Sequence, residues 1–430
     1  MLNLIGVIIA FIIVIILIRK KFNFGLSLII GSFIITIFSL SDIAFTEIPK
    51  AYLKALIYDY DKSVFNLETI ELALLLTFIY ILAKTMQETE AIKKAITSLQ
   101  TIFYKGGTLG VIPAVYGLMP VPGGALFSAP LIDKEGDKFG LNKDQKNFLN
   151  VWFRHIWFPI FPVSSAMLLI ISSDFANIEI YELIIANIPA FIAFIVIGLI
   201  FLNIYVKKIQ KPQKAPEKEY SGLVYLLPPV IPIIIYIIFF VIFWIFDLGD
   251  IKIFQRIIFI GGVILSIFCL YYLLDIDWNR YYEILKRSIN LKFALVIIGI
   301  MVFRQIIETS KSNDIIAGLI GGLSIHPVII IILIPLIMGL ITGYNLGAIG
   351  LSYLLVIPFF EISNINVIGF TSLVFMSSLV GYLISPIHLC NIVSSDHLKT
   401  DTTRMYKMYI PAVFTLIIVQ VAFIMLFYSS

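Results

Sequence analysis

From Leu2 to Ile18 the chain is apolar for long enough to cross a bilayer, and nine more such runs follow. They lie at about 24–40, 69–87, 147–172, 181–206, 222–246, 253–274, 291–308, 367–395 and 409–428. A helix needs about 20 apolar residues to span the hydrocarbon core. Ten such runs leave little sequence for a water-soluble body. The composition agrees, at 60% hydrophobic and 13% charged residues, roughly half the charge of a soluble domain. A soluble globular enzyme, a disordered chain and a secreted disulfide scaffold are excluded. Cys269 and Cys390, the two cysteines, sit in apolar runs and suggest neither a disulfide framework nor a thiolate metal site. Arg19-Lys20-Lys21 follows the first run. A secretory signal carries its positive charge before the run, so a retained helix is expected.

Two more apolar segments, about 106–132 and 327–360, are interrupted by glycine and proline. Basic residues decide whether they cross, because cytoplasmic loops collect Lys and Arg. If both segments turn back on their own side, 23 basic residues fall on one face and 5 on the other. The remaining three, Arg154, Arg256 and Arg304, lie within spans. If both crossed, the split would be 12 against 16. The sequence therefore predicts ten crossings and two re-entrant hairpins, with both termini outside.

Self-comparison reveals a repeat. Lys84-x-x-x-Glu88-Thr89 matches Arg304-x-x-x-Glu308-Thr309, and Pro113-x-x-x-Gly117-Leu118 matches Pro335-x-x-x-Gly339-Leu340. Gly124-Ala125 returns as Gly347-Ala348, and Pro162 as Pro386. Ser172-Ser173-Asp174 returns as Ser394-Ser395-Asp396, and Ile188-Pro189-Ala190 as Ile410-Pro411-Ala412. Six matches in order, all at offsets between 220 and 224, point to a duplication. In the topology above the two copies run in opposite directions, a pattern typical of secondary transporters. The expected architecture is an all-α membrane protein of about ten transmembrane helices and two hairpins, with two inverted repeats and broken helices. Residues 1–66 form N-terminal scaffold helices, 67–206 the first repeat, 207–221 a cytoplasmic linker, 222–288 central scaffold helices and 289–430 the second repeat.

Irregular backbone inside a membrane occurs only where protein or a water-filled cavity surrounds it. The first hairpin turns through Pro120, Pro122, Gly123 and Gly124, with Ser128 just beyond. The second turns through Thr342, Gly343, Tyr344, Asn345 and Gly347. The 147–172 span is broken around Pro159 and Pro162, beside Ser164 and Ser165. The 367–395 span is broken at Ser385, Pro386 and His388, with Asn391 following. Breaks present helix N-termini, which suit an anion, and free carbonyls, which with Ser, Thr and Asn oxygens suit sodium. These residues form the expected substrate and ion site. No Asp or Glu occurs in 106–132, 147–172, 327–360 or 367–395, so a cation substrate or a carboxylate proton relay is disfavoured.

Other polar residues carry weaker signals. Arg154-His155 near a span entrance could attract anions, relay protons or snorkel to the interface. His388 is the best-placed group for proton coupling. His388, Cys390 and His397 stand at i, i+2 and i+9, which share no helical face, so no metal site is expected. Asp174 and Asp396 read as interfacial charges or gating groups. Lys84 and Arg304 read as anchors paired with Glu88 and Glu308, four residues on. No P-loop, GxSxG or HExxH motif is present, so the chain is not expected to be an enzyme.

Two stretches carry a family resemblance: Met119-Pro120-Val121-Pro122-Gly123-Gly124-Ala125-Leu126-Phe127-Ser128-Ala129-Pro130 and Ser385-Pro386-Ile387-His388-Leu389-Cys390. They resemble an uncharacterised family of prokaryotic integral membrane proteins, usually placed in the ion-transporter superfamily with citrate, gluconate, C4-dicarboxylate and arsenite carriers. The resemblance implies inverted units, hairpins meeting broken helices, a homodimer and elevator-like movement. The dicarboxylate carriers place Ser-Asn-Thr at both tips, whereas this chain has Pro-Val-Pro-Gly-Gly and Thr-Gly-Tyr-Asn. Positions carry over; side-chain chemistry does not.

The function expected is secondary active transport of a small organic anion across the cell membrane, coupled to sodium or protons. An exporter, an ion exchanger or a channel is the alternative. The expected partners are a small anionic or polar substrate, the lipid bilayer and a second copy of the chain, with no nucleic acid. No cofactor is expected beyond Na+ as a possible coupling ion.

Overall fold

The computed structural model describes residues 2–118, 124–206, 216–313, 315, 318 and 325–429. The helices, in chain order, begin with α1 (Leu2–Arg19), α2 (Phe24–Phe38), α3 (Glu47–Leu56), α4 (Glu68–Glu88), α5 (Ala91–Ile102) and α6 (Thr108–Gly117). Next come α7 (Ala125–Lys138), α8 (Lys143–Arg154), α9 (Ser165–Ile170), α10 (Ile180–Val206), α11 (Ile231–Phe246) and α12 (Gln255–Leu273). The rest are α13 (Trp278–Ser288), α14 (Lys292–Thr309), α15 (Pro327–Thr342), α16 (Asn345–Val356), α17 (Val367–Leu383), α18 (Leu389–Leu398) and α19 (Thr402–Phe427). Among the described residues the one sheet is a two-residue antiparallel pair, Tyr58–Asp59 with Val64–Phe65.

Among the described residues six helical stretches are long and apolar enough to cross a membrane: α1, α4, α10, α12, α13 with α14, and α19. Shorter apolar helices, α2, α6, α11, α15, α16 and α17, fill in around them. The chain is an all-α membrane protein. Its outward faces are apolar, as lipid requires. On α1, Ile8, Ile12 and Ile16 form an exposed stripe at four-residue spacing; Ile234, Ile237 and Ile238, at i, i+3 and i+4, form one on α11.

Helix ends follow local chemistry. Asn142 caps α8 in a reciprocal box with Gln145, and Asn366 accepts a bond from the Gly369 amide to start α17. The apolar run at 222–246 is not one helix. Ser221–Leu226 forms a 3-10 turn, and α11 starts only at Ile231, after Pro228-Pro229, because proline lacks the amide and crowds the preceding turn. The run at 147–172 divides into α8 and α9, and that at 367–395 into α17 and α18.

In the core, α17 packs against α15 and α16. All of α17 except Val367, Ile368 and Tyr382 is buried. A Cβ at Gly339 would overlap the Ser378 carbonyl, and one at Gly381 the Leu336 carbonyl. Small residues thus bring α15 and α17 into backbone contact. At the end of α7, Lys146 is buried between Asp133 and Asp137, each 2.6 Å from its amine. Burial opposes its charge, yet the two carboxylates hold its pKa above the usual lysine value. The expected pairs form: Lys84 meets Glu88 at 2.7 Å, and Arg304 meets Glu308 at 3.5 Å. Arg304 also reaches Asp174 at 3.1 Å, so Asp174 is an ion-paired link between α14 and the end of the first broken span.

Candidate functional site

Each helix break must find partners for the backbone groups it frees. In the first break, the Pro159 carbonyl accepts a bond from Asn187 Nδ2 at 2.9 Å. Asn187 Oδ1 in turn accepts from Ser372 Oγ at 2.7 Å, tying α10 to α17. In the second, the Leu383 carbonyl accepts from Asn391 Nδ2 at 3.1 Å, and the Ser385 carbonyl from Tyr406 at 2.9 Å. Ser385 Oγ donates to the Leu340 carbonyl at 2.6 Å, near the end of α15. Side chains from neighbouring helices therefore hold both breaks open within the apolar interior.

The breaks and the α15–α16 turn surround a cavity of about 280 Å3. Arg154, His155, Ser164, Ser165, Tyr344, Asn345, Tyr382 and His388 supply its polar wall, with Phe158, Phe161, Leu346 and Leu389 between them. Among the described residues no carboxylate lines it. Two helices of ordinary length begin at this wall: α16 after Tyr344 and α18 after His388. Neither first residue caps its helix with a side-chain bond, so the first-turn amides keep their donor capacity and partial positive charge. The α15–α16 turn can be this tight because Gly343 adopts a φ of +58°.

Arg154 does not snorkel. It is 4% exposed, and its Nη1 donates to the Tyr116 carbonyl at 3.0 Å. Gly124 lies against its guanidinium, where a Cβ would overlap Nη2. His155 is likewise fully buried rather than at an entrance, packed 4.8 Å from the His388 ring. The reason is the break itself, which turns the end of α8 inward against the second break.

Of the residues predicted from sequence, Ser164, Ser165, Gly343, Tyr344, Asn345 and His388 come together on the cavity wall. Gly124 touches it through Arg154. Pro120, Pro122 and Gly123 lie outside the described residues. The others stand behind the wall. Ser128 and Thr342 bond to carbonyls of their own helices, Ala125 and Met338. Gly347 faces the Phe24 ring, and Ser385 and Asn391 serve the second break. Pro162 is buried within the first break, and Pro386 is exposed in the second. Sequence reasoning placed Arg154 and His155 at a span entrance and missed Phe158, Phe161 and Tyr382 as wall residues. The available signal was their position within one turn of a proline break.

The chain belongs to the family described as "Protein of unknown function (DUF401)", whose family model matches residues 2–426. No curated protein matches the chain.

Proposed function

We propose that the protein is a secondary active transporter that carries a small, carboxylate-like organic anion across the cell membrane, coupled to a sodium or proton gradient. The observation that carries this reading is the cavity wall. Two uncapped helix N-termini and Arg154 meet there, with no carboxylate among the described residues. Such a wall favours negative charge. A volume of about 280 Å3 suits a metabolite-sized molecule.

The reading includes the inverted repeat and the relation to the ion-transporter superfamily. Several contacts recur at the repeat offset and support it. Gly117 on α6 packs against the Arg154 carbonyl, and Gly339 on α15 against the Ser378 carbonyl. Ser164 starts α9 and His388 starts α18, and both line the cavity. Proline stands inside α6 and α15 at Pro113 and Pro335, and inside α10 and α19 at Pro189 and Pro411. In this reading α6–α7 and α15–α16 are hairpins entering from opposite faces. The anion sits between their tips and the broken helices, and the unit moves elevator-fashion against the scaffold helices.

Purified protein in detergent, melted against a panel of carboxylates and size-matched organic cations, tests the binding half of this reading. A bound carboxylate at about 100 times its Kd stabilises by about 2.7 kcal/mol, and Arg154→Gln is expected to abolish that shift. Stabilisation by cations alone, or an undiminished shift in Arg154→Gln, would exclude an anion site here.

A further inference from the structure

The cavity wall holds three groups that anion recognition does not require. His155 lies just past α8, His388 precedes α18, and Cys390 sits in the first turn of α18. All three are buried, and one ring nitrogen from each histidine and the Cys390 sulfur lie within 4.8 Å of one another. His155 Nδ1 is 2.6 Å from the Val151 carbonyl. A carbonyl only accepts, so Nδ1 carries the proton and Nε2 keeps a lone pair, which faces the Tyr382 hydroxyl at 3.4 Å, a long contact that a cation would replace. Metal-binding imidazoles are oriented in this way. His388 is fully buried, yet neither of its ring nitrogens meets hydrogen-bond geometry among the described residues. A buried imidazole without a partner costs free energy unless something occupies its lone pair.

We propose that His155, His388 and Cys390 form a three-ligand site for a borderline-soft divalent cation of the zinc type, with a fourth position open to the cavity. Two imidazoles and a thiolate match such ions, whereas sodium, magnesium and calcium prefer oxygen. Bonds of about 2.0–2.3 Å hold ligand atoms of a tetrahedral ion roughly 3.5 Å apart, so the trio closes by about an ångström on binding. His388 and Cys390 are two residues apart, which on a continuous helix would separate them. His388 instead has extended backbone at φ −62°, ψ 114°, which lets both side chains meet. The third ligand comes from the first break, not from His397, which is exposed near the end of α18. Binding converts the Cys390 thiol to a thiolate and releases one proton to solvent, so a divalent ion adds one net positive charge. Beside Arg154, that charge leaves the open position suited to water or an anionic group.

The test uses the full-length chain in detergent, stripped with chelator and titrated with Co2+, then competed with Zn2+. One cobalt per chain is expected, with thiolate-to-cobalt charge-transfer absorption, a tetrahedral d–d spectrum, release of one proton and displacement by Zn2+. Cys269→Ser should leave the spectrum unchanged, and Cys390→Ser should remove the charge-transfer band. His155→Gln and His388→Gln should each weaken Zn2+ binding by more than about 100-fold, beyond the loss typical of an outer-shell partner. Cobalt binding to the unmutated chain without charge transfer, or no binding above background, would overturn the proposal even if the variants fail to fold. Unchanged Zn2+ affinity in folded Cys390→Ser or His388→Gln would also overturn it. Carboxylate binding by the metal-free protein reports separately on the transport reading.

Discussion

Arg154 interrupts an apolar run, and local sequence would send its long side chain to the nearest interface. The fold keeps it inside by giving its guanidinium the Tyr116 carbonyl and the space left by Gly124. Two glycine substitutions separate site from scaffold. At Gly124 the overlapping atoms are the mobile end of an arginine, so Gly124→Val should fold. It should nonetheless lose one charge-assisted contact of about 1.5–3 kcal/mol, weakening anion binding about 10–100-fold. At Gly117 the overlapping atom is the Arg154 backbone carbonyl, which cannot swing aside. Gly117→Ala should therefore cost about 1–3 kcal/mol of overpacking, read as a lowered Tm. A normal melt for Gly117→Ala, or full anion affinity for Gly124→Val, would contradict this assignment. Pro159, Pro162 and Pro386 were legible as breaks because proline forbids a continuing helix. The meeting of His155 with His388 was not, since it depends on packing between segments far apart in the chain.

At the scale of elements, the two broken spans survive in an apolar interior because other helices supply their missing partners. Asn187 is the clearest case, bonding at once to the Pro159 carbonyl and to Ser372. Asn187→Leu keeps similar volume but leaves the Pro159 carbonyl without this donor, at a cost of about 1–3 kcal/mol, and takes the acceptor from Ser372 Oγ, which keeps only the bond from Gln420 at 2.6 Å. Chemical or thermal unfolding in detergent should show that loss; unchanged stability would mean that water reaches the break. The breaks themselves could be read from Pro and Gly clusters. The identity of their supports could not, because an asparagine in the long apolar helix α10 looks like a single polar interruption until its partner is known. The splitting of 222–246 at Pro228-Pro229 was legible in principle, but hydropathy hides it because proline does little to lower the average.

For the whole molecule, apolar runs, basic loops and the repeat matches carried most of what sequence could give. Apart from 222–246 and the two broken spans, helix positions agree closely with the runs because length and apolarity are what a bilayer selects. The topology built on them makes its own prediction. With Cys269 and Cys390 replaced by serine, cysteines at Lys138 and Lys218 should resist an impermeant maleimide on intact cells, while one at Lys62 should react. Labelling at Lys138 from outside would mean that α6 and α7 belong to a crossing segment, and the inverted repeat would fall.

The most direct test of transport is substrate movement itself. Protein in sealed liposomes should accumulate a labelled carboxylate above its external concentration when an inward sodium or pH gradient is imposed. Uptake should saturate, collapse when the gradient is dissipated, and be lost in Arg154→Gln. Flux that rises linearly with concentration and never exceeds equilibrium would instead identify a channel, and the absence of carboxylate flux under either gradient would contradict the account.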